Sequence, residues 1–128
     1  MPTHGIQGTI TLFYYRDLEA ASAFYESMAF TLEVDLDWWK AFRITDGTYL
    51  GLVDGDIVPE DIDSKKAVKL IVVVDDVDAW FNKLKGLGLN LDHQEVYSSS
   101  RLNLQEFSLS DPEGYSIEFG EFLTPLGV

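Results

Sequence analysis

The sequence predicts an α+β fold of two βαβββ modules within one domain. Three observations predict it. Several short stretches are dense in β-branched and aromatic residues. Two amphipathic stretches at helical spacing each follow an aspartate. The whole order of elements then returns in the second half of the chain.

The first strand is expected over Thr9–Tyr15. Asp17 suits a helix N-cap, because its carboxylate accepts from the free N–H groups of a first turn. Leu18, Ala21, Phe24, Tyr25 and Met28 follow with one apolar face. Phe30–Asp35, Trp38–Ile44 and Thr48–Val53 read as three strands, with a hairpin turn at Asp46-Gly47. Residues 8–54 form module one, and an acidic stretch over residues 55–66, containing Pro59, reads as a linker.

Module two is expected over residues 67–122. Val68–Val74 is its first strand and Asp76 its N-cap. Val77, Trp80, Phe81, Leu84 and Leu87 form its helix, which Gly86 and Gly88 end. Leu89–Tyr97, Leu102–Leu109 and Tyr115–Glu121 are its remaining strands. The halves align as Asp17 with Asp76, Met28 with Leu87, Phe42 with Phe107, Ile44 with Leu109 and Asp46 with Asp111. Gly47 then meets Gly114 after a short insertion.

The formal net charge of −13 argues against nucleic acid and against anionic membranes, both of which need Lys and Arg partners. It favours solubility and attracts cationic ligands. With no cysteine, disulfides, thiolate metal sites and a Cys nucleophile are excluded. No apolar run approaches the ~20 residues of a membrane span. Met1–Gly8 has neither the basic nor the apolar region of a secretory signal, so a cytoplasmic location is expected.

Asp17-Leu18-Glu19-Ala20-Ala21 with Phe24-Tyr25-Glu26 resembles the first-helix signature of the glyoxalase/bleomycin resistance protein/dioxygenase (vicinal oxygen chelate) superfamily. Val74-Asp75-Asp76-Val77-Asp78-Ala79 resembles the entry to its second helix. Asp111-Pro112-Glu113-Gly114-Tyr115-Ser116-Ile117-Glu118-Phe119 resembles its last hairpin and strand. The resemblance implies that the two modules curl into a cup-like half barrel. It also implies a homodimer with clefts completed by both chains.

In metal-using members four cup-facing positions hold a divalent ion. Carried over to this chain, they are Ile10, Gly51, Lys69 and Glu118. The repeat supports the mapping, pairing Ile10 with Lys69 and Gly51 with Glu118. Only Glu118 offers an oxygen donor, and an ammonium at Lys69 opposes a cation. Two unit charges about 4 Å apart interact by roughly 4 kcal/mol at an effective dielectric of 20, and a divalent ion feels about double that. The expectation is therefore no metal and no cofactor, with Lys69 pairing with Glu118. A divalent metal is the alternative. His4 and His93, the only imidazoles, fall outside these positions.

Strand alternation assigns a further set of side chains to the cup. Ile10, Leu12, Tyr14, Trp39, Arg43, Lys69, Ile71, Leu104, Glu106 and Glu118 are the candidate ligand-binding residues. Arg43 would grip a ligand carboxylate or neutralise Glu106 or Glu118, and one of Trp38 and Trp39 would stack on a flat ligand. The set reads as an apolar wall with a few polar groups, which suits a small-molecule pocket. Metal-free relatives include antibiotic-binding proteins that sequester flat, often cationic drugs. The expected function is thus binding of an aromatic or cationic small molecule such as an antibiotic. The alternative is a glyoxalase-like, lactoylglutathione lyase-type enzyme with a degenerate metal site and Glu118 as its catalytic general base. A dioxygenase would need two histidines and a carboxylate around iron, which the histidine positions do not provide.

Overall fold

The computed structural model describes residues 5–28, 30–57, 66–100 and 102–127. His4 and most of the expected linker lie outside the described residues. The chain divides into two compact units, Met1–Ser64 and Lys65–Val128. Each carries one four-stranded sheet and one long helix, so the architecture is α+β.

In the first unit the elements run β1 (Thr9–Tyr15), α1 (Leu18–Ser27), β2 (Thr31–Asp35), β3 (Trp39–Thr45) and β4 (Thr48–Asp54), followed by a 3-10 turn at Gly55–Ile57. That turn falls inside the stretch expected as linker. The sheet order is β1-β4-β3-β2, with β1 parallel to β4 and the other pairs antiparallel. Asp17 caps α1 as its sequence position suggests, its Oδ1 accepting from Ala20 N–H at 3.0 Å. A cap of this kind contributes about 1 kcal/mol. The apolar stripe of α1 then meets the sheet. Tyr25 packs 6.0 Å from the Phe42 ring and shares a hydrogen bond of 3.2 Å with the buried Tyr15 hydroxyl.

In the second unit β5 (Lys69–Val73), α2 (Val77–Gly86), β6 (Tyr97–Ser98), β7 (Leu104–Ser110) and β8 (Ser116–Phe122) repeat the plan. The order β5-β8-β7-β6 matches that of the first unit. Asp76 caps α2 through Ala79 N–H at 3.1 Å, and Glu121 accepts from Val77 N–H at 3.1 Å. The core is aromatic: Phe107 stacks on Phe119, Phe81 meets Phe107 edge-on, and Trp80 stacks on Phe119.

Strand registers correct the sequence alignment of the halves. Gly51 pairs with Leu12 and with Ala41; Glu118 pairs with Ile71 and with Ser108. Trp39 therefore corresponds to Glu106 and Phe42 to Leu109, two residues away from the alignment by residue type. The closing hairpins are of equal length, so Gly47 and Gly114 correspond with no insertion. Both need the positive φ (79° and 92°) that glycine supplies at little steric cost. The additional residues of the second half lie instead between α2 and β7. There, Leu89–Tyr97 was expected as a strand, but only Tyr97–Ser98 is one. The rest is irregular, and His93 sits in it rather than on a strand, its ring 4.4 Å from that of Tyr97.

Candidate functional site

On β5, Lys69, Ile71 and Val73 alternate with Leu70 and Val72, so the first three share the sheet face turned away from α2. The same alternation brings Leu104, Glu106 and Ser108 of β7 and Glu118 of β8 to that face, while Phe107 and Phe119 meet the helix. Glu118 lies between Ile71 and Ser108 in the ladder. Lys69 Nζ donates to Glu118 Oε1 at 2.9 Å. Their exposures differ sharply: the Lys69 side chain is 48% exposed and that of Glu118 only 5%.

Glu106 is buried beside this pair, at 8% exposure. Burial, a hydrogen bond with Glu118 and repulsion from that carboxylate push its carboxyl up to about 7. The hydrogen bond from Lys69 to Glu118 raises the lysine above its ordinary value, so it stays protonated. Tyr97, opposite Glu106 in the β6–β7 ladder, is also raised, first by burial and then by the two glutamates. One rung along, Ser108 Oγ donates to Asp92 Oδ2 at 2.7 Å, and Asp92 N–H donates to the Ser108 carbonyl at 2.9 Å. These two bonds fasten the irregular segment to the sheet. The sequence placed Glu106 and Glu118 on one face but did not bring them together, because alternation fixes the face of a side chain and not its cross-strand neighbour. Leu104, expected as open pocket wall, is buried instead; its Cδ1 lies 2.8 Å from where a Cβ on Gly120 would be.

The first sheet treats its equivalent face differently. A Cβ on Gly51 would lie 2.5 Å from Leu12 Cδ2, 2.9 Å from Trp39 Cζ3 and 3.4 Å from Ile10 Cγ2. The space above Gly51 is thus filled by Trp39 and Leu12, with Ile10 at its margin. Trp38 stacks against Trp39 at 6.2 Å and is half exposed. Tyr14 continues the Ile10–Leu12 alternation and is half-buried. Arg43, expected to grip a ligand carboxylate or to neutralise Glu106 or Glu118, meets acidic partners of its own unit: Nε lies 2.7 Å from Glu33 Oε1 and Nη1 3.2 Å from Asp46 Oδ1. Lys40, which the sequence did not single out, is buried on the helix side, bonded to Asp35 and 2.9 Å from Glu19. Only its position between two apolar neighbours on a strand could have flagged it.

The donor set does not suit a divalent ion. Such an ion needs several oxygen or nitrogen donors. In the second unit Glu118, the one oxygen donor among the four mapped positions, already holds a protonated lysine. In the first, the place of a donor is taken by an indole and a leucine. Among the described residues no three His, Asp or Glu side chains form a metal-binding group. Restoring a carboxylate by Gly51→Glu is expected to destabilise the protein by about 1–3 kcal/mol through overpacking. It should also shift the tryptophan emission as Trp39 is displaced, and add no zinc affinity. Urea denaturation, fluorescence and calorimetric zinc titration check the three parts.

Among the described residues no helix is long and apolar enough to cross a membrane. The family described as Glyoxalase/Bleomycin resistance protein/Dioxygenase superfamily matches residues 8–119. Among solved structures, a lactoylglutathione lyase from Agrobacterium tumefaciens is similar with a TM-score of 0.70 and 23% identity, covering 94% of this chain and 96% of that one. A glyoxalase/bleomycin resistance protein/dioxygenase from Nocardioides gives 0.72 and 19%, over 96% of this chain and 86% of that one. A bleomycin-binding protein in complex with bleomycin gives 0.66 and 17%, over 90% and 97%. At these identities the likeness carries the fold and not an activity. No curated protein matches the chain.

Proposed function

Because the chain belongs to the Glyoxalase/Bleomycin resistance protein/Dioxygenase superfamily, we propose that it binds a small molecule without the help of a metal ion. One observation carries this reading: Lys69 sits on Glu118 at 2.9 Å, so the only competent metal donor of the four mapped positions is neutralised by an ammonium. The bleomycin bound by a protein of the same fold supports a small-molecule ligand. In the second unit, the exposed Ile71 and Val73 beside Lys69 favour a ligand with an apolar body; in the first unit, taken by itself, the half-exposed Trp38 stacked on Trp39 offers a surface for an aromatic one.

A glyoxalase-type lyase with Glu118 as general base is the second reading. The likeness to a lactoylglutathione lyase supports it, and so does the high carboxyl of Glu106, which could exchange a proton near neutral pH. Its weakness is the donor set. The two readings separate in one experiment on protein purified without chelator or added metal. Metal analysis is expected to find no stoichiometric ion. Tryptophan quenching by bleomycin and by a panel of flat aromatic compounds is expected to be the same with and without EDTA. Stoichiometric zinc, nickel, iron or manganese, or metal-dependent turnover of a hemithioacetal, would overturn the proposal.

A further inference from the structure

We propose that the Lys69 ammonium is the point at which the ligand is held, and that it holds an oxyanion: the ligand is an apolar molecule ending in a carboxylate or a similar acidic oxygen. The inference rests on the metal-free reading above and goes further by naming the ligand's end group.

Three features of the second sheet lead to it. The first is exposure. The cluster contains two carboxylates and one ammonium, and the outward group is the ammonium. Lys69 is half exposed, whereas Glu118, to which it is bonded, and Glu106 are nearly closed off. A cationic ligand would have to displace Lys69 to reach Glu118. An anionic one meets Lys69 directly. The second feature is donor capacity. An ammonium has three N–H donors, and Glu118 takes one of them at 2.9 Å. Those left over point to an acceptor, and a charge-assisted bond to an oxyanion is the strongest they can make. Glu118 meanwhile restrains the lysine, so less side-chain freedom is lost on binding. The third feature is what lies beside Lys69. Ile71 and Val73 follow on the same face of β5 and are exposed at 44% and 61%. From Lys69 to Val73 the strand advances about 13 Å, at ~3.3 Å per residue. This is an apolar track with a cation at one end.

Charge balance is compatible with an anion. Lys69 and Glu118, 2.9 Å apart, cancel each other's charge. The chain's net charge of −13 repels anions at a distance, but at physiological ionic strength that repulsion is screened beyond ~8 Å. Lys69 is also an edge-strand lysine, since β5 borders its sheet. A lysine that only blunts an edge against aggregation would select no ligand end group, and this difference makes the proposal testable.

The test uses three probes with one apolar body: 4-phenylbutyrate, 4-phenylbutanol and 4-phenylbutylamine. Binding to the full chain is measured by calorimetry and by saturation-transfer NMR, in EDTA at pH 6.5. The carboxylate is expected to bind at least about tenfold more tightly than the alcohol, as one charge-assisted bond allows, and the amine most weakly. Lys69→Met should erase the carboxylate preference and leave the alcohol unchanged, while Lys69→Arg should retain the preference. Because Lys69→Met leaves Glu118 unpaired, the double variant K69M/E118Q provides a folded control in which the preference must also be absent. Equal or tighter binding of the amine overturns the proposal. So does a carboxylate preference that survives in K69M/E118Q, or no carboxylate binding at millimolar concentration. None of these results revives a metal. A carboxylate preference that appears only when zinc or nickel is added would instead overturn the metal-free reading.

Discussion

Replacing Lys69 with methionine is expected to cost about 2–3 kcal/mol of stability at pH 8, and replacing Glu118 as well, in K69M/E118Q, is expected to recover most of that loss. Removing one partner of a buried ion pair typically costs about 3–5 kcal/mol, because the other charge is left without compensation in a medium that solvates it poorly. Two features of this site lower the figure. Lys69 is half exposed, so water already screens the pair. Glu106 lies within hydrogen-bonding reach of Glu118, so the orphaned carboxylate can share a proton. The cost should therefore be larger at pH 8 than at pH 5, where Glu106 is protonated and can donate to the orphaned carboxylate. In the double variant the buried amide at position 118 carries no charge, and it can accept from a protonated Glu106 or donate through its NH2 group to an ionised one. Urea midpoints at both pH values measure all of this. Equal losses for the single and double variants would mean that Lys69 contributes through packing of its stem and not through its charge.

How much of this was legible in the sequence follows from what each signal measures. Local signals served well. Asp17 and Asp76 cap their helices because a cap depends on one carboxylate and the next three residues. Alternation along β5 and β8 sorted Lys69 and Glu118 to one face because side-chain direction in a strand has a strict period of two. Register between strands is different, since it depends on loop lengths and not on composition. Matching Phe42 with Phe107 made both hairpins look plausible, but the ladders match Phe42 with Leu109. That slip of two preserved the faces, so Glu106 fell on the correct one, whereas its contact with Glu118 went unseen because a period of two names no cross-strand neighbour. The irregular run before Tyr97 failed as a strand for a related reason. Asp92 bonds Ser108 through both side chain and backbone, and a segment fixed at a single rung need not run alongside its neighbour. Trp39 over Gly51 was out of reach altogether. The sequence says that glycine offers no ligand there; only coordinates say that an indole occupies the space.

Stability is expected to fall as pH rises from about 4.5 to about 7, by up to about 3 kcal/mol from Glu106 alone, and Glu106→Gln is expected to remove this fall. The sign follows from proton binding. In the folded chain Glu106 gives up its proton near 7, whereas an unfolded glutamate does so near 4.5. Between those values the folded state holds a proton that the unfolded state has released, so raising the pH favours unfolding, by at most about 1.4 kcal/mol per pH unit. The stabilisation is fully present below the lower value and lost above the upper one. Its cause is burial first, then the hydrogen bond with Glu118 and that carboxylate's charge, partly offset by Lys69. The net charge of −13 adds a separate slope, since neutralising surface carboxylates in acid relieves self-repulsion. The readout is therefore the difference between wild type and E106Q in urea midpoint from pH 4.5 to 8.5, in which the shared surface contribution cancels. The variant should match wild type at the acid end and exceed it by about 1–3 kcal/mol at pH 8, where the wild-type protein buries an ionised Glu106 and the variant a neutral amide. Curves that stay parallel over the whole range would show that Glu106 ionises as an ordinary solvated carboxylate and that its contact with Glu118 does not persist in solution.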